Sequence, residues 1–520
     1  MSAKPETAAP TGRKRIAQGK ECSDAALGHE FQDTPSLEGA KELRGLPNGW
    51  RWARMSEVCS RVQDGTHFSP KEQTRTGDFK YITAKNIKHW GLDLSELTYV
   101  PERVHREIFK RCNVEKGDVL YIKDGVTTGI ATVNTLDEEF SLLSSVALLK
   151  PHRDILDSLF LKYYLNSPEG FRNMTGQMTG TAIKRLILHK IKVAQVPVAP
   201  LAEQRRIVAE IEKQFTRLEA GAAALRRVQT NLKRYRAAVL KAACEGRLVP
   251  TEHELQSRSG VPPLGCGKKR RDAASTYETG EALLARILTE RRQNWTGRGQ
   301  YKEPAASDAK NLQSLPEGWA WTTAEQITDE NRSITYGVIK LGVPFPDGVH
   351  VLRSSDVRHL RLDLEGVKRV SPDIAGDYRR TFLKGGEVLI TVRGTLGGVV
   401  VAPVKCAGFN ISREVAMLAM VEPAVAKIAA IFIGSTPLQR WLLQRAKGIA
   451  YTGINIETLK QLPIPLPPLA EQTRIVAEVE RRLSMVEELE TVVNANLQRA
   501  ARLRQSILQQ AFETGNKHTP

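Results

Sequence analysis

Thirteen residues beginning at Pro200, PLAEQRRIVAEIE, recur almost unchanged at Pro468 as PLAEQTRIVAEVE. The match extends outward. GLPNGWRW (45–52) pairs with SLPEGWAW (314–321), NIKHWGLDL (86–94) with DVRHLRLDL (356–364), and KGDVLYIKDGVTTG (116–129) with GGEVLITVRGTLGG (385–398). GTAIKRL (180–186) has a looser echo in YTGINIETL (451–459), and the offset stays between 268 and 271 throughout. Ordered matches at a nearly fixed offset mean a tandem duplication, so the chain must fold as the same unit built twice.

Each half has two parts. The first mixes short apolar runs (DVLYI, IATV, VALL, EVLIT, GGVVVA) with Gly and Pro punctuation, which reads as buried strands. DILDSLFLKYYLNS and PLQRWLLQRAK read as short helices, so each half opens with an α+β domain. The second part is a long helix. VPVAP and PIPLPP hold the chain extended, with Pro200 and Pro468 expected in the first helical turn. From Ala202 to Ala243 the composition is rich in helix formers, enough for a rod of roughly 63 Å. Apolar residues recur three and four apart at Val208, Ile211, Phe215, Leu218, Ala222 and Leu225, then at Leu232 and Val239. The second helix repeats the stripe at Val476, Val479, Leu483, Val486, Val493 and Leu497. Gln229 and Arg236 interrupt the first seam and Glu490 the second. Such heptads predict that the two helices pair as an antiparallel coiled coil about a pseudo-twofold axis, a spacer between two globular domains.

The linear division that follows is a disordered tail (1–44), domain one (45–200), helix one (201–248), a linker or insertion with a short helix (249–313), domain two (314–467) and helix two (468–514). Composition narrows the function. The net charge is +18 with a pI near 9.6, which favours a polyanionic partner such as nucleic acid. No apolar run is long enough to span a membrane, and no secretory signal opens the chain. Six scattered cysteines, with no C-x-x-C and no zinc-ligand spacing, predict free thiols in a reducing cytoplasm and no metal site.

The paired LPxGWxW openings, the paired PLAEQxRIVAExE helix starts, NLKRYRAAVLKAACEGRLVP (231–250) and NLQRAARLRQSILQQAFETG (496–515) resemble the specificity (S) subunit of type I restriction–modification systems over nearly all of residues 45–515. The resemblance implies two target recognition domains, each reading half of a bipartite, asymmetric double-stranded DNA sequence, with the helices setting the gap. It implies two methyltransferase (M) subunits docked on the helices and recognition domains, with restriction (R) subunits joining them. S-adenosylmethionine, ATP and Mg would act in those partner chains, with no cofactor here.

The residues themselves argue against an enzyme. The Asn/Asp-Pro-Pro-aromatic loop of an adenine methyltransferase and the G-x-G-x-x-G turn are both absent, which disfavours a self-sufficient methyltransferase. PLGCGKKR (263–270) lacks the phosphate-loop spacing. A scaffold without sequence readout is the remaining alternative. DNA contacts are expected where the halves diverge, at Gln63, His67 and Lys71 against Asn331, Arg332 and Tyr336, then at Lys85 and Asn86 against Arg353 and Arg358. The matched glycine turns add Lys123, Thr127 and Thr128 in one half, and Arg393 and Thr395 in the other; the same turns also read simply as tight connections between strands. The loops 177–185 and 447–455 read equally as phosphate contacts or as supports for the helix base, and GKKRR (267–271) as a solvated run.

Overall fold

The runs that read as buried strands are strands. Val119–Ile122 and Val388–Thr391 are buried at every position, as expected for strands covered on both faces. The computed structural model describes residues 46–176, 186–258, 278–297, 299–308, 312–446 and 453–513. The tail 1–44, the loop 177–185, most of the loop 447–455, GKKRR and the phosphate-loop-like PLGCGKKR lie outside the described residues.

The chain divides into two units, one formed by residues up to Ala224 together with those from Asn496 onward, the other by Leu225–Ala495. In the first unit an antiparallel sheet runs in the order Cys59–Asp64, Val146–Pro151, Val119–Ile122, Ala131–Val133. A three-stranded sheet places Phe79–Ile82 antiparallel to Thr98–Val100 and parallel to Phe140–Leu142. Arg51–Arg54 pairs with Gln195–Val198 and ties the start of the domain to its end. The second unit repeats this strand for strand: Thr335–Tyr336, Val415–Leu418, Val388–Thr391, Val399–Val401; then Lys368–Val370, Val349–Leu352, Asn410–Ile411; then Ala320–Thr323 with Pro463–Leu466. Pro197, Pro463 and Pro465 sit in the two-stranded ribbons, where a missing N–H can face away from the partner.

The first long helix spans Leu201–Cys244 and the second Leu469–Glu513. Pro200 and Pro468 each stand one residue ahead of the helix, not within its first turn, and their carbonyls accept the first helical bonds from Gln204 and Gln472. The repeated glutamine of PLAEQ explains much of the motif. Gln204 is fully buried; its Nε2 donates to the Ile155 and Ala199 carbonyls at 2.8 Å each, and its Oε1 accepts from the Asp157 N–H at 2.8 Å. Gln472 donates likewise to the Pro467 carbonyl at 2.8 Å. The neighbouring Glu471 is also buried and accepts from the Trp319 indole at 3.0 Å, so the PLAEQ and LPxGWxW motifs interlock in the second unit. Burial raises the Glu471 carboxyl above its ordinary range.

Each core is completed by both long helices. In the first unit Val208, Ile211 and Phe215 pack with Ile507, Leu508 and Phe512, and the Phe512 ring lies 5.2 Å from Phe160 and 5.5 Å from Tyr164. In the second unit Val476, Val479 and Leu483 share a core with Val239, Leu240, Ala243 and Cys244. Leu232, Val486 and Val493 are buried as well, whereas Leu218, Leu225 and Leu497 are half-buried. The polar residues that interrupt the seams meet one another. Gln229 donates to Asn494 at 3.0 Å, and Arg236 reaches Glu490 at 3.2 Å and Glu487 at 3.9 Å. Seven residues forward on one helix correspond to seven back on the other, so the segments run antiparallel. In the first unit Arg504 pairs with Glu219 at 2.9 Å and covers the Phe215 ring.

The described part of the insertion is not a free linker. Its helix, Gly280–Gln293, puts Leu283 and Ile287 into the second core, with Leu284 at the edge. Gly280 permits this closeness, because a Cβ there would run into the Leu466 carbonyl oxygen. Arg286 fixes the helix through Glu278 and Glu422, each at 2.9 Å.

Two outcomes follow. Gln204→Ala leaves two carbonyls and one N–H without their buried partner and should cost about 2–4 kcal/mol, read as a lower urea midpoint with an unchanged m-value. Arg236→Glu and Glu490→Arg should each weaken the helix pair and together restore it, with a coupling of about 0.5–1 kcal/mol in a double-mutant cycle because both side chains are partly solvated.

Candidate nucleic-acid interface

Three loops meet at one end of the strands in each unit, and the same backbone bonds hold them. In the first unit Thr66 N–H donates to the Leu142 carbonyl, Leu143 to Ile82, Ser144 to Thr66, and Lys123 to Ser145. In the second, Val338 donates to Ile411, Ser412 to Leu352, Arg413 to Val338, and Val392 to Glu414. Gly65 and Gly337 precede these crossings, and a Cβ on either would collide with the carbonyl of Leu142 or Ile411. The loops after Asp64, after Ile82 and after Ile122 therefore form one rim, as do those after Tyr336, Leu352 and Thr391.

Most of the expected contacts of the first unit stand on or beside this rim. Gln63 is half-buried on its strand, and His67, Lys71, Lys85 and Thr127 are exposed. Asp64, buried, gathers the charges: Arg111 at 3.0 Å, His67 at 3.4 Å and Lys123 at 3.5 Å. Lys123 is itself buried and also pairs with Asp124 at 2.9 Å, so it braces the rim and does not project from it. Thr128 donates to the Gly125 carbonyl at 2.7 Å, closing the glycine turn and leaving Thr127 as its outward hydroxyl.

In the second unit Tyr336, Arg353, Arg393 and Thr395 come together. The Arg393 guanidinium lies 6.0 Å over the Tyr336 ring, whose hydroxyl donates to the Ile454 carbonyl at 2.7 Å. Gly394 has φ +75° and lies against Ser354, which brings the glycine turn beside Arg353. Arg353 is bidentate to Asp356, at 3.2 and 3.0 Å. Arg393 and Thr395 are exposed.

Four expectations are corrected. Asn86 is no reader: it is buried, its amide donates to the Asp93 and Glu96 carbonyls, and its oxygen accepts from Thr83. Asp356 builds the same turn in the second unit by accepting from the Arg353 N–H. Asn331 and Arg332 lie at the far end of the strands. Asn331 staples the insertion, donating to the Asn294 carbonyl at 3.0 Å and accepting from Thr296 at 2.7 Å. Arg332 binds the buried Glu387 at 2.7 Å. Burial would raise that carboxyl, but the Lys384 N–H and Arg332 outweigh it and hold it below its ordinary value. Arg358 is exposed but turns toward the helices, lining a polar cavity of about 420 Å³ with Arg236, His359, Glu487 and Glu490.

The structure adds apolar rim residues that charge-based reasoning passed over. Val126 at the tip of the first glycine turn is 86% exposed, and Phe68 stands beside His67. Ile339 and Val343 are exposed on the matching loop of the second unit. An apolar side chain can contact the thymine methyl group; for Val126 and Val343 the sequence signal was an apolar residue just after a glycine. A second exposed feature is helical. Met485, Leu489 and Val492, spaced four and three apart, form an apolar stripe on the second long helix. Among the described residues no cluster suits a metal ion, and no helix is long and apolar enough to cross a membrane. Cys59, Cys112, Cys244 and Cys406 are free and buried.

Comparison with known proteins agrees with this doubled design. The family model for the type I restriction modification DNA specificity domain matches residues 47–224 and 347–498, more than half of the chain. The type I restriction enzyme EcoBI specificity subunit of Escherichia coli is 27% identical over 353 residues, which are 67% of this chain and 64% of that protein's length. The EcoKI specificity subunit of Escherichia coli strain K12 is 24% identical over 480 residues, 90% of this chain and 89% of that protein. A solved chain from a study of complex assembly and conformational transition of the type I R-M system shares the fold, with a TM-score of 0.53 at 20% identity over 91% of this chain and all of the other. The chain belongs to the family defined by the type I restriction modification DNA specificity domain.

Proposed function

We propose that the chain is the non-catalytic sequence-reading subunit of a type I restriction–modification complex. Each unit reads one half of a bipartite, asymmetric double-stranded DNA target through its rim, and the long helices set the gap between the halves. The observation that carries this reading is the repeated rim: one backbone frame, built twice, carrying different side chains in the two units. Two readers of the same type with different contact residues suit two different half-sites. A net charge of +18 favours the phosphate backbone. Two methyltransferase subunits dock on the helices, where the stripe Met485, Leu489 and Val492 offers an apolar face, and restriction subunits join them. S-adenosylmethionine, ATP and Mg belong to those partners.

The test is an exchange of the second reader. Leu283 and Ile287 belong to that core, so residues 278–467 should be replaced together by those of another family member. Methylation mapping in cells that also express the methyltransferase should show one half-site changed, the other kept and the gap constant. A change in both halves would overturn separate reading, and binding with no sequence preference at raised salt would favour a scaffold. Docking is tested separately. Leu489→Asp, at an exposed position, should leave folding unchanged and reduce co-purification of the methyltransferase subunit several-fold.

A further inference from the structure

The two rims carry different chemistry at a point where their frames match bond for bond. In the second unit the Val392 N–H bonds the Glu414 carbonyl at 2.8 Å, and the Arg393 N–H reaches the same oxygen at 3.4 Å. In the first unit Lys123 and Asp124 make the same two bonds to the Ser145 carbonyl, at 2.9 and 3.4 Å. Asp124 thus corresponds to Arg393. Ser144 likewise corresponds to Arg413, since its N–H bonds the Thr66 carbonyl as that of Arg413 bonds the Val338 carbonyl. Arg393 and Arg413 lie just beyond the last pair of one antiparallel ladder, Thr391 with Val415. An acid and a hydroxyl in one unit stand where the other has two guanidiniums. Both arginines are exposed, and among the described residues no carboxylate forms an ion pair with either. The acids beside them are engaged: Glu414 accepts from the Ser354 hydroxyl at 2.7 Å, and Asp356 from the Arg353 guanidinium at 3.2 and 3.0 Å. Arg393 is held in place, its guanidinium 6.0 Å over the Tyr336 ring and the Tyr336 hydroxyl tied to the Ile454 carbonyl.

Like charges side by side on a ladder are unfavourable on their own, so this pair contributes nothing to the frame that the first unit lacks. Arginine is the side chain that most often reads guanine, because its planar fork gives two donors to O6 and N7. The position favours bases over phosphates. Arg413 is bonded to the loop after Tyr336, and the turn that carries Arg393 lies against Ser354 of the loop after Leu352. The pair therefore stands where the three loops meet, not at the margin of the rim. We propose that Arg393 and Arg413 are the guanine readers of the second unit, so that its half-site presents a guanine to each. This rests on the rim being the surface that reads DNA.

The test is selection from a randomised DNA duplex library by the full chain at raised salt, with the bound DNA sequenced, for the parent, Arg393→Ser and Arg413→Ser. The parent should select a bipartite sequence. Each variant should lose the preference for one guanine by about tenfold or more, both in the same half, and keep the other half unchanged. Because both side chains are exposed, the variants should melt within about 2 °C of the parent. A variant that binds every sequence more weakly, with its preference intact and its salt slope reduced by about one, has lost a phosphate contact, which overturns guanine reading. Relaxation at a base other than guanine, or in different halves for the two variants, overturns it as well. An unchanged selection in both variants overturns this proposal alone, whereas a parent with no sequence preference overturns it together with the reading on which it rests.

Discussion

The antiparallel packing of the long-helix segments is the constraint on which the rest depends. Phe512, eight residues from the C-terminus, is wedged against Phe160 and Tyr164 in the core that opens with Trp50. Val239, Leu240, Ala243 and Cys244, at the end of the first long helix, fill the core built from Val388–Thr391 and Pro423–Ile433. Neither core is closed by a contiguous stretch of chain. Each needs a helix that starts in its own half and a helix end delivered from the other half, so the duplication is a folding requirement as well as an ancestry. The polar seam residues suit this role. Arg236 opposite Glu490 and Gln229 opposite Asn494 satisfy one another only in the antiparallel register, and a slip of one turn would leave charges facing apolar positions.

How a helix is aimed at its own domain is set by a few buried polar contacts. Gln204 reads two carbonyls and one N–H of the domain beneath it, an arrangement that tolerates little rotation of the helix start. In the second unit the same task falls to Gln472 and to Glu471, which receives the Trp319 indole. This is why PLAEQ and LPxGWxW recur while the sequence between them drifts: the motifs are the joints, and the strands need only remain apolar.

Much of this was legible in the sequence. A period-two or continuous apolar run predicts a strand whatever its neighbours do, and the heptads predict which face of Leu201–Cys244 is covered. The partner of that face was legible only in part. The stripe gave the helix–helix seam, but nothing local says that Leu283 and Ile287 of the insertion join the second core. The candidate contacts show the same limit more sharply. Asn86 and Arg332 have the chemistry of readers, yet one is spent on the Asp93 and Glu96 carbonyls and the other on Glu387. A side chain's chemistry is local, whereas its availability depends on what the fold brings beside it. Asn86 and Asp356 occupy matching positions in the two halves, and that correspondence was the available sign of a turn-former.

The rim suggests how such a chain can change what it recognises without losing its fold. Bonds that hold it run backbone to backbone, from Thr66 to Leu142 and from Val338 to Ile411, and the crossing demands the absence of a side chain at Gly65 and Gly337. Backbone bonds are indifferent to the side chains mounted on them. Val126, Thr127 and Phe68 on one rim, and Ile339 and Thr395 on the other, project from a frame they do not support. Substitutions there should carry small stability costs, in contrast to the deeply coupled joints at Gln204 or Trp319. Lys123 marks the boundary between the two regimes: it sits on the rim by position but is bound to Asp64 and Asp124, so altering it would disturb the frame along with any contact it makes.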